Sequence, residues 1–436
     1  MQQKDGSYLY GNWSNGIGIS ENDQQGFDTI VGLDIHSKPG TITGSKACEN
    51  LDLETPIIDA LCTCKVKTPA GDSYFGATNG KIFKVTSAGV VSLVNTVAAA
   101  PAITGIGYFN GYLYYSYSNK LGRFDGVSTW ADTWATFTNT HTNPRHMVAT
   151  RLSLYITDTY LIAAVDLSGA FSANVLDLDP TQVAVAVAVE SNGILIGSTS
   201  GWMFWWDTYS SSWSIDDLIS EGGVNAFIPT DNLNMIQAGT VGNIYYWNGS
   251  KAVLWSRLRD SDTLVTTAVN PYASDNLNGL PLFGTTRGIY SLGTAHSKLP
   301  VAQVIEYVSS LGQGTQIGAV CVVGSQVFSS FKNSTSYGID KLSTNKYSGF
   351  FITPIAEGKL AKLRIGYDSI PTGTSLTATV SVDSASLASH TIVKDDSNDR
   401  VYYSENGFNS KSTVKAKVVL VASTTYSPVI RKIKIH

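Results

Sequence analysis

Leu195-Ile196-Gly197-Ser198-Thr199-Ser200-Gly201-Trp202-Met203-Phe204 joins a short apolar run, a turn of glycine and hydroxyl residues, and a second run carrying aromatics. That order reads as a β-hairpin. The pattern recurs in Tyr74-Phe75-Gly76-Ala77-Thr78-Asn79-Gly80-Lys81-Ile82-Phe83, in Ala238-Gly239-Thr240-Val241-Gly242-Asn243-Ile244-Tyr245-Tyr246-Trp247 and in Leu282-Phe283-Gly284-Thr285-Thr286-Arg287-Gly288-Ile289-Tyr290. Weaker copies centre on Ser116, Thr157 and Ser329.

One such turn is common in any β protein, so the spacing decides. Anchors at 76, 116, 157, 197, 239, 284 and 329 are separated by 40, 41, 40, 42, 45 and 45 residues. A period of about 40 to 45 residues with several strands per unit is that of β-propeller blades. A single four-stranded sheet cannot cover both its faces, and radial stacking lets each blade cover the next. Seven anchors predict seven blades, or six if a weak copy belongs to a connector. The anchor glycine is expected to supply the positive φ of a tight hairpin, and the aromatic to fill the widening wedge between blades.

Outward from the repeat, strand signals dominate. Val183 to Val189 alternates Val and Ala with both faces apolar, as in a sheet covered on both sides. The best helix candidate, 301–309, is short and β-branched. From about Tyr347 the blade pattern gives way to plain alternation in 359–367, 375–383, 414–420 and 428–435, which predicts a small antiparallel β-sandwich. The segment before the repeat is rich in Gly, Asn, Asp and Ser, with a turn at Lys38-Pro39-Gly40, and reads as an extended arm or clasp. Its first thirty or so residues have little to bury and are expected to be mobile in a monomer and ordered by a neighbouring subunit. The predicted chain is all-β: arm 1–61, propeller 62–346, sandwich 347–436.

Composition narrows the function. Charged residues are 15% of the 436, against roughly 25% in ordinary domains, so surface polarity rests on Ser, Thr, Asn and Gly, as is common in extracellular and virion proteins. The net charge is −4 and no Lys/Arg run exists, which argues against a sequence-specific nucleic-acid partner. No apolar run is long enough for membrane insertion. Met1 to Asn12 has no apolar core, so no secretory signal is expected there. Cys48, Cys62, Cys64 and Cys321 are too few for a disulfide framework and lack zinc spacing; they are expected to be buried free thiols.

Candidate chemistry is thin. His141 and His146, five apart, resemble half of a zinc finger without its cysteines. Gly197-Ser198-Thr199-Ser200-Gly201 resembles a hydrolase elbow but has Thr at its centre and reads as a turn. Asp216, Asp217 and Glu221 are acidic but sit in a predicted connector without an identifiable partner, and the sialidase-blade box is absent. Asp395-Asp396-Ser397-Asn398-Asp399 is oxygen-rich but lacks the EF-hand glycine and glutamate, and reads as a solvated turn. Trp202, Phe204, Trp205, Trp206 and Trp247 suit blade packing, with sugar stacking as the alternative. Asn12, Asn248 and Asn333 match the glycosylation triplet, which matters only in a eukaryotic secretory pathway. No catalytic, cofactor-binding or metal residue is assigned, and no enzyme is expected.

Three stretches together resemble β-propeller tail proteins of tailed bacteriophages, particularly hub or nozzle proteins of short-tailed phages. They are the arm from Gly26-Phe27-Asp28 through Leu33-Asp34-Ile35-His36-Ser37-Lys38-Pro39-Gly40-Thr41-Ile42, the blade from Glu190 to Ser198 with the aromatics 202–206, and the closing segments Leu360 to Tyr367 and Pro428 to Ile435. The resemblance implies a structural virion protein of the tail or neck, in a cyclic homo-oligomeric ring below the portal. Such a ring continues the DNA channel, helps retain the genome, and contacts portal, adaptor or other tail proteins. A modest acidic balance suits a channel that must pass DNA without holding its phosphates. The alternative is a tail receptor-binding protein or lectin that engages a host surface glycan.

Overall fold

The computed structural model describes residues 8–10, 27–38, 40–52, 56–210, 212–219, 222–230, 234–239, 243–256, 259–260, 263–264, 270–293, 302–357, 363–368, 370–386, 389–393, 399–402 and 413–435. Their regular structure is entirely β, and the helix candidate at 301–309 is the strand Ala302–Tyr307, as its β-branched residues favour.

Blades 1 (residues 62–96), 2 (103–136), 3 (147–177), 4 (184–218) and 5 (224–256) are each four antiparallel strands in chain order. Blade 7 takes three strands from 316–346 and its fourth, Lys46–Asn50, from near the start of the chain. These six sheets stand by themselves. In the remaining wedge, blade 6 (274–307), four strands begin a sheet of eleven that runs on through Thr29–Val31 into the C-terminal strands. The first strand of each blade is innermost. Cys62–Lys67 packs against Ile103–Phe109 on one side and against Gln316–Val323 on the other, which closes the ring.

The repeat anchors lie within or just after the second strand of each blade; the expected positive φ is found at Gly239 (φ 77°) but not at the other three anchor glycines. Gly76, Gly197 and Gly284 do not adopt positive φ; the turns use Gly80 (φ 79°), Gly201 (φ 91°) and Gly288 (φ 139°) instead. These three anchors are glycine because the next blade presses on them. A Cβ at Gly76 would lie 2.6 Å from Ile103, one at Gly197 2.5 Å from Val224, and one at Gly284 2.3 Å from Ile317. Each of those three residues lies in the first strand of a following blade. In each of those blades the pairing of strands one and two also shifts register close to that contact, a bulge that turns the inner strand toward its neighbour.

Aromatics fill the wedges as expected. Trp206 meets Tyr155 of blade 3 edge-on at 5.7 Å, and Trp247 is buried between blades 4 and 5. Cys62, Cys64 and Cys321 are buried free thiols, pushed up to about 12 or beyond by burial, and Cys48 is a half-buried free thiol.

The second layer of the C-terminal sandwich has the strand order Tyr8–Tyr10, Ile430–Ile435, Leu363–Tyr367, Asp399–Tyr402. Ser375–Val382 and Thr413–Val421 alternate strictly: Leu376, Ala378, Val380 and Val382, with Val414, Ala416, Val418 and Leu420, point inward. This core is continuous with Phe283 and Tyr290 of blade 6.

The segment 1–61 is not a free arm. Tyr8–Tyr10 pairs with Ile433 to Ile435 of its own chain, Phe27 and Ile30 are buried, Thr29–Val31 joins blade 6 to the sandwich, and Lys46–Asn50 completes blade 7. Sparse apolar residues misled the reading because each sits where a sheet from a distant part of the chain covers it. The rest of the stretch expected to be mobile, residues 1–7 and 11–26, lies outside the described residues.

Candidate functional site at the propeller axis

The innermost strand of every blade is a sheet edge, so part of its backbone faces the axis with no further strand to pair. Side chains supply the missing partners. The Tyr272 hydroxyl, carried on the segment leading into blade 6, accepts the Ile106 N–H of blade 2 and the Met147 N–H of blade 3, each at 3.1 Å, and donates to the Arg145 carbonyl at 2.6 Å. Its backbone carbonyl accepts from Val320 N of blade 7. Asn270 donates to the Thr63 carbonyl of blade 1. Tyr272 is buried and thus crosses the middle of the ring.

His146 sits edge-on to Tyr272 at 4.9 Å, and its Nδ1 accepts the Val187 N–H of blade 4 at 3.1 Å. That bond places the imidazole proton on Nε2. Burial, and next the charge of Lys65, hold this histidine neutral, its pKa pushed down to about 3. Lys65 of blade 1 donates to Asp275 of blade 6 at 2.8 Å, and Asp275 also accepts Val322 N of blade 7 at 2.9 Å. Burial works against both charges. The charge and hydrogen bond of Asp275 outweigh it for Lys65, which stays protonated, while Lys65 and Lys67 hold Asp275 ionised.

Beside Tyr272 the inner strands leave a cavity of ≈330 Å³, walled by Met147, Val187, Phe227 and Pro271, with Lys65, His146, Thr230, Asn234 and Ser274 as its polar lining. The opposite end has a second cavity of ≈530 Å³ beside Thr140 and His141. There Asp158 accepts from Arg145 Nε at 3.1 Å and Nη2 at 2.9 Å and pairs with His141 Nε2 at 2.9 Å; the Arg145 and Asp158 side chains are wholly buried. Burial pushes the Asp158 carboxyl up, but the His141 bond and the Arg145 charge more than offset it and hold it below the usual range.

The two histidines of the half-finger motif therefore serve different ends of the axis and share no ligand position. Among the described residues no cluster of three or more His, Cys, Asp or Glu side chains is placed to hold a metal ion. Gly197 and Ser198 end one strand and Trp202 begins the next, so that motif is a hairpin turn. Asp216 and Asp217 lie in the strand Ser212–Leu218, not in a connector, and Asp217 accepts Ala252 N of blade 5 at 2.7 Å. Glu221 and residues 395–398 lie outside the described residues. Trp205 donates to the Glu190 carbonyl at 3.2 Å, while Trp202 and Phe204 stack at 6.2 Å and stay half-buried on the blade surface. Lys65, Tyr272 and Asp275 were missed. No local motif marks them, because their roles depend on blades far apart in sequence; the one available signal is Lys65 following the buried Cys62 and Cys64 alternation.

No protein-family model matches the chain, and no curated protein matches it significantly. Solved structures do. Streptogramin B lyase is similar at a TM-score of 0.52 and 10% identity, over 69% of this chain and 98% of that one. The extracellular domain of a one-component system from B. thetaiotaomicron is similar at 0.51 and 13% identity, over 75% of this chain and 44% of that one. The β-propeller domain of Cps50 (Swd1) from Myceliophteria thermophila gives 0.49 and 11% identity, over 66% of this chain and 98% of that one. Identities this low speak for architecture alone. By fold, this chain is a β-propeller fastened by its own N-terminal strand and continuous with a β-sandwich.

Proposed function

We propose that the chain is a non-enzymatic structural protein of a tailed-phage virion, a nozzle- or hub-like subunit of a cyclic ring in the tail or neck. The observation that carries this reading is the eleven-stranded sheet shared by blade 6 and the sandwich. It joins propeller and sandwich through one continuous sheet, and a closed ring is built by meeting one surface of a subunit with a different surface of the next. The stretches that resemble phage tail proteins include the segment forming that junction, Thr29–Val31. Because Tyr272 crosses the propeller axis, the DNA passage belongs to the centre of the subunit ring. Portal, adaptor and other tail proteins are the partners, and the ring assembles in the host cytoplasm before acting in the virion.

Native mass spectrometry and electron microscopy of the purified chain test the proposal. A ring of defined symmetry that localises to the neck or tail of particles supports it; a strict monomer at high concentration, absent from particles, sinks it. The second reading, glycan binding, rests on the half-exposed Trp202–Phe204 stack. It requires glycan-array binding that disappears in Trp202→Ala.

A further inference from the structure

We propose that the axial cavity is a binding site for a small organic carboxylate, its apolar body held between the inner strands and its oxygens on Lys65 and His146. This does not rest on the virion reading.

Two donors lining the cavity have capacity left. The Lys65 ammonium carries three N–H groups, and among the described residues its side chain is bonded only to Asp275. His146 uses Nδ1 on Val187, and among the described residues its Nε2–H bonds to no protein acceptor. The neutral ring cannot be recruited as a base, because its tautomer is set by a backbone N–H across a blade boundary. It offers a fixed donor beside a fixed cation.

The local charge favours an anion. Asp275 takes Lys65 at 2.8 Å, Val322 N at 2.9 Å, its own neighbour Asn276 N at 2.8 Å, and Lys67 at 3.7 Å. Two lysines thus face one carboxylate whose oxygens are already occupied. The Glu190 carboxylate is bound to Asn234, a lining residue of the cavity.

The walls select the rest of the ligand. Met147, Val187, Phe227 and Pro271 offer no charge, and ≈330 Å³ is near the lower end of the roughly 300–1,000 Å³ of small-molecule sites. A benzoate-sized acid fits that description. An alcohol of the same shape forfeits the charge-assisted bonds, which are about twice as strong as neutral ones.

The test is ¹⁹F NMR on the full chain with 4-fluorobenzoate and 4-fluorobenzyl alcohol as probes. Saturable broadening of the benzoate is expected, with the alcohol at least about tenfold weaker. Val189→Trp, at a half-exposed lining position, should block both probes while leaving the core intact. Lys65→Met should abolish the preference for the acid. No broadening at millimolar benzoate, equal affinity for the two probes, or unchanged binding in folded Val189→Trp overturns the proposal.

Discussion

Cys48 lies opposite Leu342 in the sheet of blade 7, so a residue near the start of the chain completes a blade built from residues 316–346. The neighbouring pairs Glu49 with Lys341 and Asn50 with Asp340 extend the fastening. In a ring where each blade is covered by its neighbours, this pairing ties the two ends of the repeat together.

Replacing residues 46–50 by a Gly/Ser stretch removes that strand. Hydrogen exchange should then accelerate first in 316–346 and in the adjoining strand 62–67, and only later in blades 3 and 4. Equal acceleration in all blades would show that the strand does not act as the ring's fastener.

Gly197→Ala should destabilise the fold by about 1–3 kcal/mol, since its Cβ would press on Val224. The double variant with Val224→Ala should recover a substantial part of that loss, because the two sites are coupled through one contact. Denaturant midpoints of the two single variants and the double variant decide it; strict additivity would refute the packing account of the anchor glycines.

Tyr272→Phe keeps the ring but removes the hydroxyl that accepts Ile106 N and Met147 N. Leaving buried groups unpaired costs about 1–3 kcal/mol each. A fall in thermal stability with an unchanged circular dichroism spectrum is expected, and a variant as stable as the parent would contradict the axial role.

Glu306 is buried on blade 6, and burial, then the nearby Asp34 charge, push its carboxyl up to about 7. The unfolded chain releases this proton near the ordinary value of 4.5, so from there to about 7 the folded state binds the extra proton. Stability from this group therefore falls as pH rises through that window and stays low above it. His36 acts oppositely: burial lowers it to about 4 from 6.5, so its effect is lost stability as pH falls through that range. Glu306→Gln should raise the melting temperature more at about pH 8 than at about pH 5. A pH-independent difference would remove Glu306 as the cause.

Much of the architecture could be read along the chain because a propeller repeats a local unit. Leu195 to Phe204 holds a strand, a turn and a packing aromatic within ten residues, and the copies at 76, 239 and 284 carry enough of the same signal to reveal the period. The alternation in 375–382 and 413–421 was equally legible, since side-chain period in a strand is a local property. The reason for the anchor glycines was not, because the atom excluded at Gly197 belongs to Val224 of the next blade.

The axis marks the boundary most sharply. A ring of β-hairpin units followed by alternating strands was readable from residue order alone, because hydrophobic period and turn chemistry act between near neighbours. It takes the folded ring to show that Tyr272 crosses the centre, that Lys65 meets Asp275, that His146 Nδ1 accepts the Val187 N–H, and that residues 46–50 fasten the last blade. Those contacts join residues 41 to 300 positions apart. The axial ones exist because closing the ring brings inner backbone edges from every blade to one line where each must find a partner, and the pairing of 46–50 exists because the outer edge of blade 7 is open to a strand from the start of the chain.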